Sequence, residues 1–211
     1  MTLIQLEQAA RARRDQTGQR SHRPRERDSR AVFRSLIRAE DAGADTVHFE
    51  GLASAYEQGY EMHDVFGPYT EIVSAGAASR SLARTDLDVP LVLQHDQMRR
   101  IARTTNGTLL LRESSQGLQV DAPALDMRDQ DVAYIVPKLR AGLIDEMSFA
   151  FRIIRGQWSP DYTEYRIEEF DIHRGDVAIV GYGANPYTDA GTRQRGIDLI
   201  AESETRMLEY I

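Results

Sequence analysis

The feature that most constrains the fold is a change in the character of the sequence near Val47. From this residue onward the chain consists of short apolar runs separated by Gly, Pro, Asn and Asp, a pattern typical of strands joined by turns. The 211 residues are enough for one sizeable domain, and 41% of them are hydrophobic, which suffices for a core. The sequence therefore predicts an α+β domain, mainly β, over residues 46–190.

The apolar runs predict individual strands, and a different spacing predicts a helix. Apolar residues recur at three- and four-residue intervals between Asp129 and Ala141, which indicates a helix. Pro137 lies inside it, so we expect a kink or a short break. A second helix is predicted at Arg193–Tyr210. The predicted strands are Val47–Tyr56, Tyr69–Val73, Pro90–Gln94, Thr108–Glu113, Leu118–Ala122, Met147–Ile154, Tyr162–Ile172 and Val177–Gly181.

Charge divides the chain into two parts. Residues 1–40 carry ten arginines and five acidic residues, a net charge of +5, whereas the whole chain has −7, so the rest carries −12. We expect a basic, flexible N-terminal arm over residues 1–45, with a short helix at 3–14, and a C-terminal helix over residues 191–211. The arm could bind an anionic partner or dock on the acidic body. Because Phe33 is its only aromatic residue, base stacking and hence nucleic-acid binding are not expected.

Several classes of protein are excluded by composition. There is no cysteine, which excludes disulfide scaffolds, thiolate zinc sites and cysteine nucleophiles. No run approaches 18 consecutive apolar residues, and the N-terminus is too polar for a signal peptide. We therefore expect a soluble, intracellular protein without a membrane segment.

Three polar residues lie beside or within apolar runs that are predicted to be strands. His95 follows the apolar run at 89–93, and Ser148 is a small hydroxyl residue among large apolar neighbours. Each of these, taken alone, is more often structural than catalytic, and the sequence contains no Gly-x-Ser-x-Gly elbow. Asp176 precedes an apolar strand, where a buried carboxylate requires a donor. A histidine N–H, Arg174 or a backbone amide could provide it.

Five sequence blocks, taken together, resemble a known family. In their order and spacing they are similar to the caudovirus prohead serine proteases, which mature the capsids of tailed bacteriophages. The resemblance implies a compact β-barrel with flanking helices, similar to the herpesvirus assemblin proteases, and a Ser-His pair completed by a third polar residue. The blocks are FEGLAS (49–54), EIV with GA (71–77), LVLQHD (91–96), AGLIDEMSFAF (141–151) and GDVAIVGYGANP (175–186).

The resemblance also implies roles for particular residues. Ser148 matches the family's serine nucleophile and His95 its histidine base, while Asp176 matches the third member. His173 and Glu169 are alternatives for that third position. The implied activity is a serine endopeptidase that needs no cofactor or metal.

The resemblance further implies partners and a location. The expected substrates are the scaffold protein, the N-terminal segment of the major capsid protein or both, and the protease itself. Self-association is also left open. The expected location is the host cytoplasm, inside the procapsid. The segment Arg100–Thr104 departs from the family's usual Ile-Gly-Arg run.

Two other functions stay open from the residues alone. One is a non-enzymatic capsid assembly module that retains the protease fold. The other is a metal-dependent hydrolase that would use His63, Asp64, His95 and Asp96, although sequence spacing alone does not show that these side chains converge.

Overall fold

The computed structural model describes residues 45–64, 67–183 and 189–191. These residues are mainly in strands, which confirms the predicted α+β, mainly β class. The elements are β1 (Thr46–Ala55), β2 (Tyr60–Asp64), β3 (Gly67–Val73), α1 (Ser79–Leu82), β4 (Pro90–Leu93), β5 (Asp96–Arg103), β6 (Leu110–Glu113), β7 (Gly117–Asp126), α2 (Gln130–Arg140), β8 (Glu146–Trp158), β9 (Glu164–Val180) and β10 (Asp189–Gly191).

Most predicted strands form close to their expected positions, but two of them are joined into one, and β2, β5 and β10 were not predicted. The strands expected at Tyr162–Ile172 and Val177–Gly181 are one long strand, β9. An irregularity in the β8–β9 pairing falls between them, where three extra residues of β9 are accommodated before Asp176. Strand β5 was not predicted, because its sequence DQMRRIAR lacks apolar alternation and only Ala102 is buried.

The strands form two sheets. The first has the order β10-β1-β7-β6 and is antiparallel throughout. The second has the order β2-β3-β9-β4-β5, and β8 pairs with β9 in addition. Strands β3 and β4 run parallel to β9, while β8 runs antiparallel to it.

The predicted closed barrel is wrong for the part of the chain that the structure describes. Strand β1 already has both edges engaged, one by β7 and the other by β10 over Glu50–Leu52. Strand β8 pairs only with β9 among the described strands. The hydrogen-bonded ladders thus leave two separate sheets.

One apolar core contains residues of both sheets, and the second sheet has a distinct opposite face. Side chains alternate along a strand, so Val177 and Ile179 of β9 point into the core while Ala178 and Val180 point away from it. Ala178 and Val180 form a small second cluster with Val92 of β4. The face that carries this cluster also carries the candidate site.

Helix α2 begins where the sequence predicts. The Asp129 carboxylate accepts hydrogen bonds from the backbone amides of Asp131 and Val132, an N-cap that satisfies two of the otherwise unpaired donors. Of the kink or short break expected at Pro137, the break is absent, since the helix continues to Arg140. Pro137 has no backbone N–H to donate to the Ala133 carbonyl, yet three more helical residues follow it.

The two terminal predictions lie outside the described residues. This holds for the arm at 1–45, apart from Asp45, with its short helix at 3–14. It holds equally for the C-terminal helix at 191–211, apart from Gly191.

Candidate active site

The site is organised around the C-terminal half of β9. Strand β4 pairs with one edge of this segment and β8 with the other, so that Val92, Ala178 and Ser148 form a row across three strands. Paired residues share a face of the sheet, and adjacent strands lie about 4.8 Å apart. The Ser148 side chain therefore lies on the face opposite the main core, about 10 Å across the sheet from Val92.

Ser148 is presented by strand alternation. Its neighbours Met147 and Phe149 are buried in the core, whereas Ser148 itself is half-buried. The pattern of one small polar residue between large apolar ones is thus explained by the pleat of β8. Ala150 follows on the same face as Ser148 and pairs with Asp176.

His95 lies in a tight turn rather than at the end of a strand. Leu93 pairs with Asp96, so Gln94 and His95 are the two central residues of the β4–β5 hairpin. Both have positive φ, 55° and 59°, as a type I′ turn requires. Such turns usually use Asn or Gly, and a histidine held in this conformation is a local strain of the kind found at functional sites.

Asp176 is buried, and both of its carboxylate oxygens are hydrogen-bonded. The residue is 1% exposed. Its Oδ1 lies 2.6 Å from Nδ1 of His95, and its Oδ2 accepts a hydrogen bond from Nε2 of Gln97 at 2.6 Å. Since an ionised carboxylate only accepts, Nδ1 of His95 carries the proton in this pair. The expectation that Asp176 requires a donor is met by a histidine and by a glutamine that sequence analysis missed.

The same register places the His95–Asp176 pair beside Ser148. Asp176 pairs with Ala150, and Ser148 pairs with Ala178, so Ser148 and Asp176 are diagonal neighbours on one face of the sheet. Diagonal residues of adjacent strands are about 7–8 Å apart. The imidazole, bonded to Asp176, therefore lies on the face to which Ser148 points.

Gly175 permits the close contact of β8 and β9 at this point. A Cβ atom added to Gly175 would lie 1.8 Å from the carbonyl oxygen of Ala150 and 2.8 Å from its carbonyl carbon. No side chain fits in that space. The absence of a Cβ at Gly175 therefore lets the irregular segment before Asp176 pack directly on the backbone that carries Ser148.

The alternative third members are engaged elsewhere. Nδ1 of His173 accepts a hydrogen bond from the backbone amide of Asp88 at 3.2 Å. Glu169 forms ion pairs with Arg80 and Arg155. Arg174 is exposed, and its charge lowers the pKa of Asp88 to a smaller extent than Arg103 does.

The side chains that could share a metal ion are not those suggested from the sequence. Within the described ranges, the cluster with ligand atoms close enough to share an ion comprises His48, Glu50 and Asp121 of the other sheet. The side chains of His63 and Asp64 lie outside the described part. His95 is bonded to Asp176, and the Asp96 carboxylate accepts from the backbone amide of Met98.

The chain is similar to a known family of viral proteases. The family model of the caudovirus prohead serine proteases matches residues 35–203, which is most of the 211-residue chain. The chain belongs to this family. No curated protein and no solved structure matches it in the corresponding searches.

Membership confirms the resemblance inferred from the five sequence blocks. The prohead protease is thus a serine protease of bacteriophage capsid maturation, located in the procapsid within the host cell and interacting with capsid proteins in general. In the described part of the chain, none of the helices has the length and apolar character needed to span a bilayer.

Proposed function

We propose that Ser148, His95 and Asp176 are the catalytic triad of this prohead protease, with Ser148 as the nucleophile. The observation that carries the proposal is the 2.6 Å contact between Nδ1 of His95 and Oδ1 of the buried Asp176. It lies on the sheet face to which Ser148 points. A nucleophile, a base and a group that orients the base are the parts that such chemistry requires.

The mechanism follows from the protonation of the pair. Because Nδ1 of His95 donates to Asp176, Nε2 is the basic nitrogen. It takes the Ser148 hydroxyl proton as the oxygen attacks a peptide carbonyl, and the imidazolium then returns that proton to the departing amine. Water repeats the sequence on the acyl-enzyme and releases the carboxylic acid. Asp176 stabilises the transient imidazolium and keeps the ring in the required tautomer.

We propose that the substrates are the scaffold protein and the N-terminal segment of the major capsid protein, and that the protease also cleaves itself. Family membership supports substrates among the capsid proteins, and a protease requires extended, accessible backbone in its substrate. The predicted likeness to the herpesvirus assemblin proteases belongs to this proposal as well.

The experiment is co-expression of the protease with capsid precursor, followed by intact-mass analysis of all chains. Ser148→Ala is compared with Ser115→Ala, a matched substitution at an exposed serine in the β6–β7 turn. We expect fragments in the wild type and in Ser115→Ala and none in Ser148→Ala. Identical fragments from all three proteins would refute Ser148 as the nucleophile.

The non-enzymatic assembly module is the alternative outcome of the same experiment. It predicts intact chains in every sample and normal heads from a Ser148→Ala, His95→Ala double variant. The hydrogen-bonded His95–Asp176 pair favours the enzyme, because an assembly module has no need for a buried carboxylate against a histidine.

A further inference from the structure

A local irregularity of β5 brings an unassigned side chain to the proposed triad. Leu93 pairs with Asp96, but the next residue of β4, Val92, pairs with Arg100. Three residues, 97–99, thus have no partner on β4 and form an irregular bulge directly after the His95 turn. Bulges re-aim side chains and are common beside active sites.

The bulge is held in place by several contacts. The Asp96 carboxylate accepts from the Met98 amide, and the Arg100 Nε donates to the Gln97 carbonyl oxygen at 2.7 Å. On the other side, Arg99 donates through Nε to Asp131 of helix α2 at 2.8 Å. These contacts fix the backbone on both sides of Gln97.

The Gln97 amide lies between a cation and a carboxylate. Its Oε1 accepts from Nη2 of Arg100 at 3.0 Å, and its Nε2 donates to Oδ2 of Asp176 at 2.6 Å. The reverse orientation would direct the amide oxygen at the carboxylate and the NH₂ group at the guanidinium. Arg100 therefore selects the orientation in which Gln97 donates to Asp176.

We propose that Gln97, oriented by Arg100, is a positioning residue of the protease that holds the Asp176 carboxylate in the position where it bonds His95. Gln97 is exposed whereas Asp176 is 1% exposed, so the amide also covers the carboxylate on its solvent side. The proposal rests on the proposed triad. It adds a fourth and a fifth residue, neither of which contacts the reacting atoms.

The proposal predicts a specific division of kinetic effects. Gln97→Leu replaces the amide donor with an apolar side chain of similar size. A charge-assisted hydrogen bond is then lost but no substrate contact is lost, so kcat should fall about tenfold while KM stays within about twofold. Gln119→Leu is the matched control, because Gln119 is an exposed residue of β7 in the other sheet.

A second variant provides a signature that a merely structural role would not produce. Gln97→Glu places a second carboxyl group at the position of the Gln97 amide, 2.6 Å from Asp176 Oδ2, and two carboxyl groups this close share one proton. The Arg100 guanidinium at the other oxygen lowers the pH at which that proton is lost. While the introduced carboxyl group is protonated, it can still donate a hydrogen bond to Asp176. When it loses this proton at higher pH, the two carboxylates repel each other. The activity of Gln97→Glu relative to wild type should therefore decline as pH rises.

The experiment measures kcat and KM for cleavage of capsid precursor from pH 5 to pH 9, with folded fractions matched by thermal melting. A pH-independent ratio for Gln97→Glu together with an unchanged kcat for Gln97→Leu would overturn the role of Gln97. Loss of cleavage in Ser148→Ala and His95→Ala in the same series would still support the triad. Full cleavage by those two variants would instead refute the proposed function itself.

Discussion

Gly175→Ala tests whether the contact between β8 and β9 determines the geometry of the site. The added Cβ would begin 1.8 Å from the Ala150 carbonyl oxygen, and real Cβ contacts are essentially never under 3.0 Å. The two backbones must therefore separate by about 1.2 Å at a position two residues from Ser148. A misplacement of about 1 Å can cost on the order of 100-fold in rate, and overpacking of this severity costs about 3 kcal/mol or more in stability.

The assay combines urea unfolding with the rate at which a fluorophosphonate modifies the serine, measured at equal folded fraction. Gly107→Ala is the control. It forces a residue with a Cβ to adopt a φ of +74°, but nothing lies within 4 Å of the new atom, so it should cost about 1–2 kcal/mol and leave the modification rate unchanged. Wild-type stability of Gly175→Ala would refute the close contact. A destabilised Gly175→Ala with an unchanged modification rate would refute its coupling to Ser148.

Two further predictions concern the carboxylates of Asp176 and Asp88. Asp176→Asn should lower kcat/KM by about 10³-fold or more with little change in melting temperature, because an amide no longer keeps His95 in the required tautomer; a loss below tenfold would contradict the triad. The pKa of Asp88 is lowered chiefly by its bidentate hydrogen bonds with Arg103, against the opposing effect of burial. Because the folded pKa is depressed, this stabilisation is present above the unfolded value of about 3.9 and is lost as pH falls through the folded pKa. Asp88→Asn should therefore destabilise the fold by up to about 1 kcal/mol at pH 7, and urea titrations should show this difference shrinking between pH 5 and pH 3; a constant difference would refute the assignment.

The sequence pattern within a segment predicts those strands and helices that are determined by the segment's own residues. The apolar strands and helix α2 form near their expected bounds, because buried alternation and an Asp129 N-cap act within a few residues. Strand β5 is different: its polar residues are held by pairing with β4, a partner that its own sequence does not indicate. Tertiary pairing likewise makes β9 continuous through the segment around Gly175, which separates the two strands that were predicted there.

The candidate site divides in a similar way. The cost of burying Asp176 predicts that it has a donor, but not which one, because His95 lies 81 positions away in the chain. The resemblance to the family indicated Ser148 and His95. Gln97 could not be found from its sequence context, since its approach to Asp176 depends on a bulge that only the register of β4 and β5 defines. The positive φ of His95 was also unexpected, because no glycine or asparagine marks the turn.

The most direct test of the account is to locate the residue that a fluorophosphonate modifies in the wild-type protease, by peptide mass mapping. We predict one adduct, on Ser148, whose formation is abolished by His95→Ala and slowed by Asp176→Asn. An adduct on a different serine, or labelling of Ser148 that proceeds equally fast without His95, would contradict the proposed triad.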